Sequence, residues 1–190
     1  EAGLLGARSF VEETAYGIEV DRVINLEARG VRGPALMFET SRPNAGPVAD
    51  WAKYVSRPGA NSLMAAVYEQ LPNSTDLTPM MAGGLSGLNI AISQGVEFYH
   101  SARDNLDTLD PRSVEHMGDQ AWGAVRAWLE RPEVGPVAGD TVYADIANRF
   151  LVALPQSMAL VLLAAAAVLA LWNAAARNGR LDLKAVAAGP

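Results

Sequence analysis

Cysteine is absent from this chain. That excludes a disulfide framework and a thiolate metal site alike, and leaves any metal to carboxylate and imidazole. Histidine is nearly absent, with His100 and His116 alone in 190 residues, so each of the two is informative. Charged residues make up only 19%, the net charge is −6 with a pI near 4.9, and no basic cluster interleaves with aromatics. Phosphate finds no footprint here, which excludes nucleic acid as a partner class. No methionine and no signal peptide open the chain. Its first residues already read as the start of a helix, the expectation for a piece of a longer protein. Apolar residues are plentiful: half the chain is hydrophobic, with a dense run near the carboxyl end. The length accommodates one domain of ordinary size and one membrane span.

Residues 3–13 place Leu4, Leu5, Phe10 and Val11 on one helical face, and residues 20–28 alternate as a strand with Val23, Ile24 and Leu26 apolar. The turn signal Gly30-Val31-Arg32-Gly33-Pro34 leads into a second strand over 35–38, and the two adjacent strands are expected to pair. Helices follow over 47–55 and 61–70, the second capped by Asn61 and carrying Leu63, Met64, Val67 and Leu71 at core spacing. A short strand over 88–92 ends in Ser93-Gln94-Gly95. A long amphipathic helix over 111–129, with Pro111 in its first turn, lines Val114, Met117, Ala121, Val125 and Trp128 along the side that covers the sheet. Helices and strands interleave, which predicts a layered α/β domain with ligand sites at strand ends.

Residues 150–172 are apolar apart from Pro155-Gln156-Ser157, and the uninterrupted part is 158–172. The full segment reaches the ~20 residues a bilayer needs. The competing reading assigns 141–154 in part to a strand of the soluble domain, with Pro155 at a strand-to-helix boundary. Trp172, an interfacial aromatic, and Arg177, Arg180 and Lys184 beyond it favour a span whose carboxyl end is cytoplasmic. The preceding domain then faces the periplasm, the exterior or an organelle lumen. The chain divides on this reading into a domain over 1–131, a linker or edge segment over 132–149, a transmembrane helix over 150–172 and a cytoplasmic tail or loop over 173–190.

Candidate chemistry is sparse. His116, inside the long helix, reads as a capping or packing histidine. His100 follows the aromatic pair Phe98-Tyr99 and precedes Asp104 by four residues, a setting in which a loop histidine binds a metal while nearby acids orient it. Glu27 follows an apolar run at a strand end, where it reads either as a ligand or as a solvated strand terminus. Glu1 stands before a helix start, where an acid is also favoured by the helix dipole. Nothing in the residue types alone unites Glu1, Glu27 and His100.

A family resemblance does. Glu1-Ala-Gly-Leu-Leu-Gly-Ala, Asn25-Leu-Glu-Ala-Arg-Gly, Phe38-Glu-Thr, Pro72-Asn-Ser-Thr-Asp76 and Phe98-Tyr-His-Ser-Ala-Arg-Asp104 occur in that order. The set resembles the di-zinc aminopeptidase family over roughly the first 130 residues, nearest the endoplasmic-reticulum metallopeptidase and vacuolar membrane protease branch. The resemblance implies a mixed β-sheet flanked by helices, lacking its amino-terminal part and followed by a transmembrane helix. It implies a membrane-anchored zinc metallopeptidase of aminopeptidase type, acting on peptides through a metal-activated water, with two Zn2+ ions in the complete domain. Glu1, Glu27 and His100 are then metal ligands, Asp76 a substrate-orienting acid near the site, Tyr99 a pocket residue and Asp104 the support of the His100 loop. Asp76 reads equally as a helix N-cap before 77–81. The family's first histidine ligand, bridging aspartate and general-base glutamate belong upstream of Glu1, so the piece alone is expected to be inactive. Two further readings stay open on the same fold: a non-catalytic binding ectodomain and a glutaminyl-cyclase-like acyltransferase.

Overall fold

The computed structural model describes residues 3–13, 20, 22–130 and 138–187, with side chains described as far as residue 176. Glu1 lies outside the described residues, as do the side chains of Arg177, Arg180 and Lys184. The elements run α1 (Leu5–Glu13), β1 (Arg22–Ala28), β2 (Arg32–Thr40), α2 (Ala45–Tyr54), α3 (Ser62–Glu69), α4 (Leu77–Ala82), β3 (Ser86–Gln94), α5 (Pro111–Glu130), β4 (Thr141–Ile146), β5 (Phe150–Pro155) and α6 (Gln156–Ala187). The chain separates into two units, residues 1–153 and 154–190.

The first unit is built on a three-stranded mixed sheet ordered β1-β3-β2, with β3 parallel to β1 and antiparallel to β2. The expected pairing of β1 with β2 is therefore corrected, because β3 lies between them. The cause is in the glycine-rich connection. Gly30 N–H donates to Ile92 O (2.9 Å) and Val31 N–H to Gln94 O (2.9 Å), so the turn is bonded to the end of β3 and crosses over it. A Cβ on Gly30 would sit 2.2 Å from Gln94 O, so only glycine permits this approach. The central position of β3 accounts for its burial: Gly87 through Ile92 are all buried, as expected for a strand covered on both faces.

Leu88, Ile90 and Ile92 of β3 join Ala35 and Met37 of β2 in the core, against Val48 and Trp51 of α2 and Ala124 of α5. The buried stripe of α5 is Ser113, His116, Gln120, Gly123, Ala124 and Ala127. That shifts the expected stripe by one position, leaving Val114 exposed and Met117, Ala121, Val125 and Trp128 at its flanks. Close approach and polar satisfaction decide the rotation here. Gly123 meets Val55 so closely that a Cβ would lie 2.4 Å from Val55 Cγ2. His116 Nδ1 accepts from Ala35 N–H (3.0 Å), which leaves Nε2–H to donate to Arg57 O (2.7 Å). Gln120 donates to Ala35 O (2.5 Å). His116 is thus the packing histidine its sequence setting suggested.

On α3, Asn61 caps as expected, its Oδ1 accepting from Met64 N–H at 2.8 Å. The expected core face of that helix is corrected: Leu63, Met64, Val67 and Leu71 are exposed, Leu63 at 73%. The helix turns Ala65 and Tyr68 inward instead, and Tyr68 packs edge-to-face on Phe38, ring centroids 4.6 Å apart. Residues 138–153 are not free of the first unit. Tyr143 is buried in the core, its N–H donates to Ser62 Oγ (2.8 Å), and Thr141 N–H donates to Asn44 Oδ1 (2.7 Å).

In the second unit the helix opens at Gln156, because residues 150–155 form β5. The apolar run read as one span from 150 is therefore part strand, with Pro155 at the boundary. Gln156–Ala176 is long and apolar enough to cross a membrane, and none of those residues is buried. At 1.5 Å per residue those 21 residues reach about 30 Å, the thickness of a bilayer's hydrocarbon core. Asn173 spends its amide N–H on Leu169 O (3.0 Å), the internal satisfaction that an apolar surrounding demands.

Candidate active site

Because β1 and β3 are parallel, their carboxyl ends lie at one edge of the sheet, and a cleft of about 430 Å³ opens there. The end of β1 and the residue after it contribute Asn25, Leu26, Glu27 and Arg29 to its wall. The loop ahead of α4 contributes Ser74, Thr75 and Asp76, the segment beyond β3 contributes Tyr99 and His100, and α1 contributes Arg8. Four of the six predicted site residues, Glu27, Asp76, Tyr99 and His100, thus line one cleft. Glu1 falls outside the described residues, two positions before Gly3, which also lines it. Asp104 is exposed and does not line it.

Glu27 is oriented by a row of polar side chains across the sheet. Asn25, Asn89 and Glu39 occupy matching positions on β1, β3 and β2. Asn25 Nδ2 donates to Glu27 Oε1 (3.0 Å) and to Asn89 Oδ1 (2.9 Å). Asn89 Nδ2 donates in turn to Glu39 Oε2 (2.7 Å) and Thr75 Oγ1 (2.7 Å). Glu39 reaches this row through an irregularity in β2: the register shifts between Met37 and Glu39, and the extra residue, Phe38, turns Glu39 to the Asn89 side. Burial pushes the Glu39 carboxyl above the usual glutamate range, against the lowering effect of the Asn89 hydrogen bond. Burial likewise raises the Tyr68 phenol, with the Glu39 carboxylate adding to the shift.

His100 is held by its backbone as much as by its neighbours. Its φ is +55°, a left-handed conformation that costs a side-chain-bearing residue roughly 1–2 kcal/mol. Its ring stacks on Tyr99 at 3.9 Å and 20°. The loop that follows is tied by Ser101 Oγ to Phe98 O (2.6 Å) and by Thr108 Oγ1 to Arg103 O (2.6 Å), with the Arg103 guanidinium 4.2 Å from the Phe98 ring. Asp104 contributes its main-chain N–H, which donates to Ser101 O (3.0 Å). Asp76 stands in the N-cap position of α4 but its side chain makes no capping bond, so its carboxylate is left to the cleft.

Glu27 carboxylate and His100 imidazole are donors of the kind that catalytic zinc takes. Among the described residues no three of His, Asp or Glu gather closely enough to hold a metal ion. Sequence reasoning gave no role to Asn25, Arg29, Glu39, Thr75 or Asn89. Asn89 had a signal: it is the one amide inside the apolar run Leu88–Ile92.

Residues 1–125 match Peptidase family M28. The chain belongs to that family. All the site residues named above fall within the matched part of this M28 chain. Among its relatives, a protein named vacuolar membrane protease from Yarrowia lipolytica is 28% identical over 157 residues, covering 82% of this chain and 16% of its own length. Endoplasmic reticulum metallopeptidase 1 of Homo sapiens is 23% identical over 160 residues, covering 80% and 18%. A vacuolar membrane protease from Candida albicans is 30% identical over 123 residues, covering 64% and 14%. The branch that the motifs resembled is the one these names belong to. The M28 chain spans less than a fifth of the length of these curated relatives. No solved structure matches it significantly.

Proposed function

We propose that this chain supplies the carboxyl-terminal part of the active site of a membrane-anchored zinc aminopeptidase, with the peptidase domain on the non-cytoplasmic side. The observation that carries the reading is that Glu27 and His100, far apart in sequence, line one cleft at the carboxyl ends of two parallel strands in a chain of the M28 family. Glu27 and His100 would hold zinc, with Glu1 as a third ligand and the remaining donors from upstream. Zinc bound in such a site polarises a scissile carbonyl and lowers the pKa of its water. Asn25 fixes the rotation of Glu27 by donating to Oε1 and leaves Oε2 to the metal. Tyr99 packs against the His100 ring and Asp76 faces the cleft, where it orients the peptide.

Two experiments test this reading. Purified full-length protein is expected to release amino-terminal residues from peptides, to lose that activity on chelation and to regain it with added zinc. Chelator-resistant hydrolysis, or release from the carboxyl end only, would refute the assignment. For topology, a reporter active only in the cytoplasm is expected to signal when fused after Lys184 and to stay silent when fused before Asp140, because Arg177, Arg180 and Lys184 follow the candidate span. Equal signal from both fusions would return Gln156–Ala176 to the status of a helix that does not cross.

A further inference from the structure

Arg29 is a charged group in the cleft wall that nothing so far explains. Arg32, Arg42, Arg57, Arg112 and Arg126 each reach a carboxylate. Among the described residues Arg29 reaches none, and its Nε is buried without a hydrogen-bond partner. A buried donor left unpaired destabilises the fold, more so when charged, and such a group in a native fold calls for a reason. Glu27, two residues away on the same wall, does not pair with it; that carboxylate is engaged by Asn25 instead. Arg29 therefore lines the same cleft as the proposed zinc ligands with its Nε unpaired, and the planar fork of a guanidinium matches a carboxylate in two parallel hydrogen bonds.

We infer that Arg29 receives a carboxylate of the bound peptide, so that the site selects substrates carrying a free carboxylate near the bond to be cut. The inference rests on the peptidase reading and names its substrate class. The carboxylate has two possible sources, the carboxyl end of a short peptide or an acidic side chain, and both present the same group.

The test uses the full-length protein and four peptides: Ala-Ala-Ala, its carboxyl-terminal amide, Ala-Glu-Ala amide and Ala-Gln-Ala amide. The wild type is expected to favour the carboxylate member of at least one pair by about 10–100-fold in kcat/KM, the worth of a charge-assisted contact. The pair that discriminates identifies the source. Arg29→Met keeps the apolar stem, and in it that ratio should collapse toward one, while Arg29→Lys, which keeps charge without the fork, should fall between. No preference in the wild type, or a preference that Arg29→Met leaves intact, would overturn the assignment. A uniform loss on all four peptides in both variants would mark Arg29 as structural and overturn it equally. Binding of the same peptides, measured by calorimetry, separates this result from the peptidase reading. If no peptide is cut, the peptidase reading fails, and an Arg29-dependent preference in Kd still supports the carboxylate site while its absence sinks it.

Discussion

Replacing His100 with alanine in the full-length protein is expected to strip zinc and activity together. The loss should exceed the roughly 10–100-fold that removing a mere supporting hydrogen bond costs a metal site, because water does not replace an imidazole ligand. The left-handed backbone at His100 adds a strain term to the alanine variant, so His100→Asn is the cleaner probe: asparagine tolerates that conformation but lacks the ring. Both variants should lose zinc, as read by metal analysis of the purified protein. His116→Ala provides the contrast. It removes the acceptor of Ala35 N–H and the donor to Arg57 O and should cost about 2–4 kcal/mol of stability while zinc content stays unchanged. Full zinc retention in His100→Asn would remove His100 from the ligand set.

The second large effect is expected at Asn89. Asn89→Leu keeps the volume but takes partners from Asn25, Glu39 and Thr75 at once, and with three groups stranded the cost should reach about 3–5 kcal/mol. Urea unfolding of the detergent-solubilised protein measures it, and a deficit below about 1 kcal/mol would show that the polar row carries little. The deficit should also depend on pH. The Asn89 N–H is the influence that lowers the Glu39 pKa against burial, so its removal lets the folded value climb further. A folded pKa above the unfolded one means the native state binds the proton more tightly. Stability then falls as pH rises from the ordinary glutamate value through the folded one. In the variant that fall extends to higher pH, so its deficit against wild type widens with rising pH across the window.

Features governed by local chemistry were legible in the sequence, and those governed by strand order were not. Asn61 as a cap, Pro111 at the start of a long helix and the apolar run after Pro155 all depend on residues within a few positions of one another, and each has its counterpart in the structure. The pairing of β1 with β2 failed because Gly30 looks the same in a hairpin turn and in a crossing over a third strand; only the presence of Gln94 O beside it distinguishes them. The exposed face of α3 and the rotated stripe of α5 failed for a related reason. Spacing shows that a helix has an apolar side, but which side is buried depends on where Phe38, Ala35 and Val55 stand.

The site shows the same division. Glu27, His100, Asp76 and Tyr99 were picked out from residue type and motif order, and the fold brings all four to one cleft. The row that orients Glu27 was not legible, since Asn25, Asn89 and Glu39 come from three strands and meet only because β3 is central and β2 shifts register at Phe38. Arg29 was hidden differently. It sat inside a quoted motif, but its missing partner is a property of the folded wall and not of the sequence.

The most direct measurement of the central claim is an anomalous-difference map at the zinc edge from crystals of the full-length protein. A zinc peak about 2.0–2.2 Å from a Glu27 carboxylate oxygen and from a His100 ring nitrogen is the predicted result. Zinc bound elsewhere in the peptidase domain, with the Glu27 and His100 side chains both free of it, would contradict it.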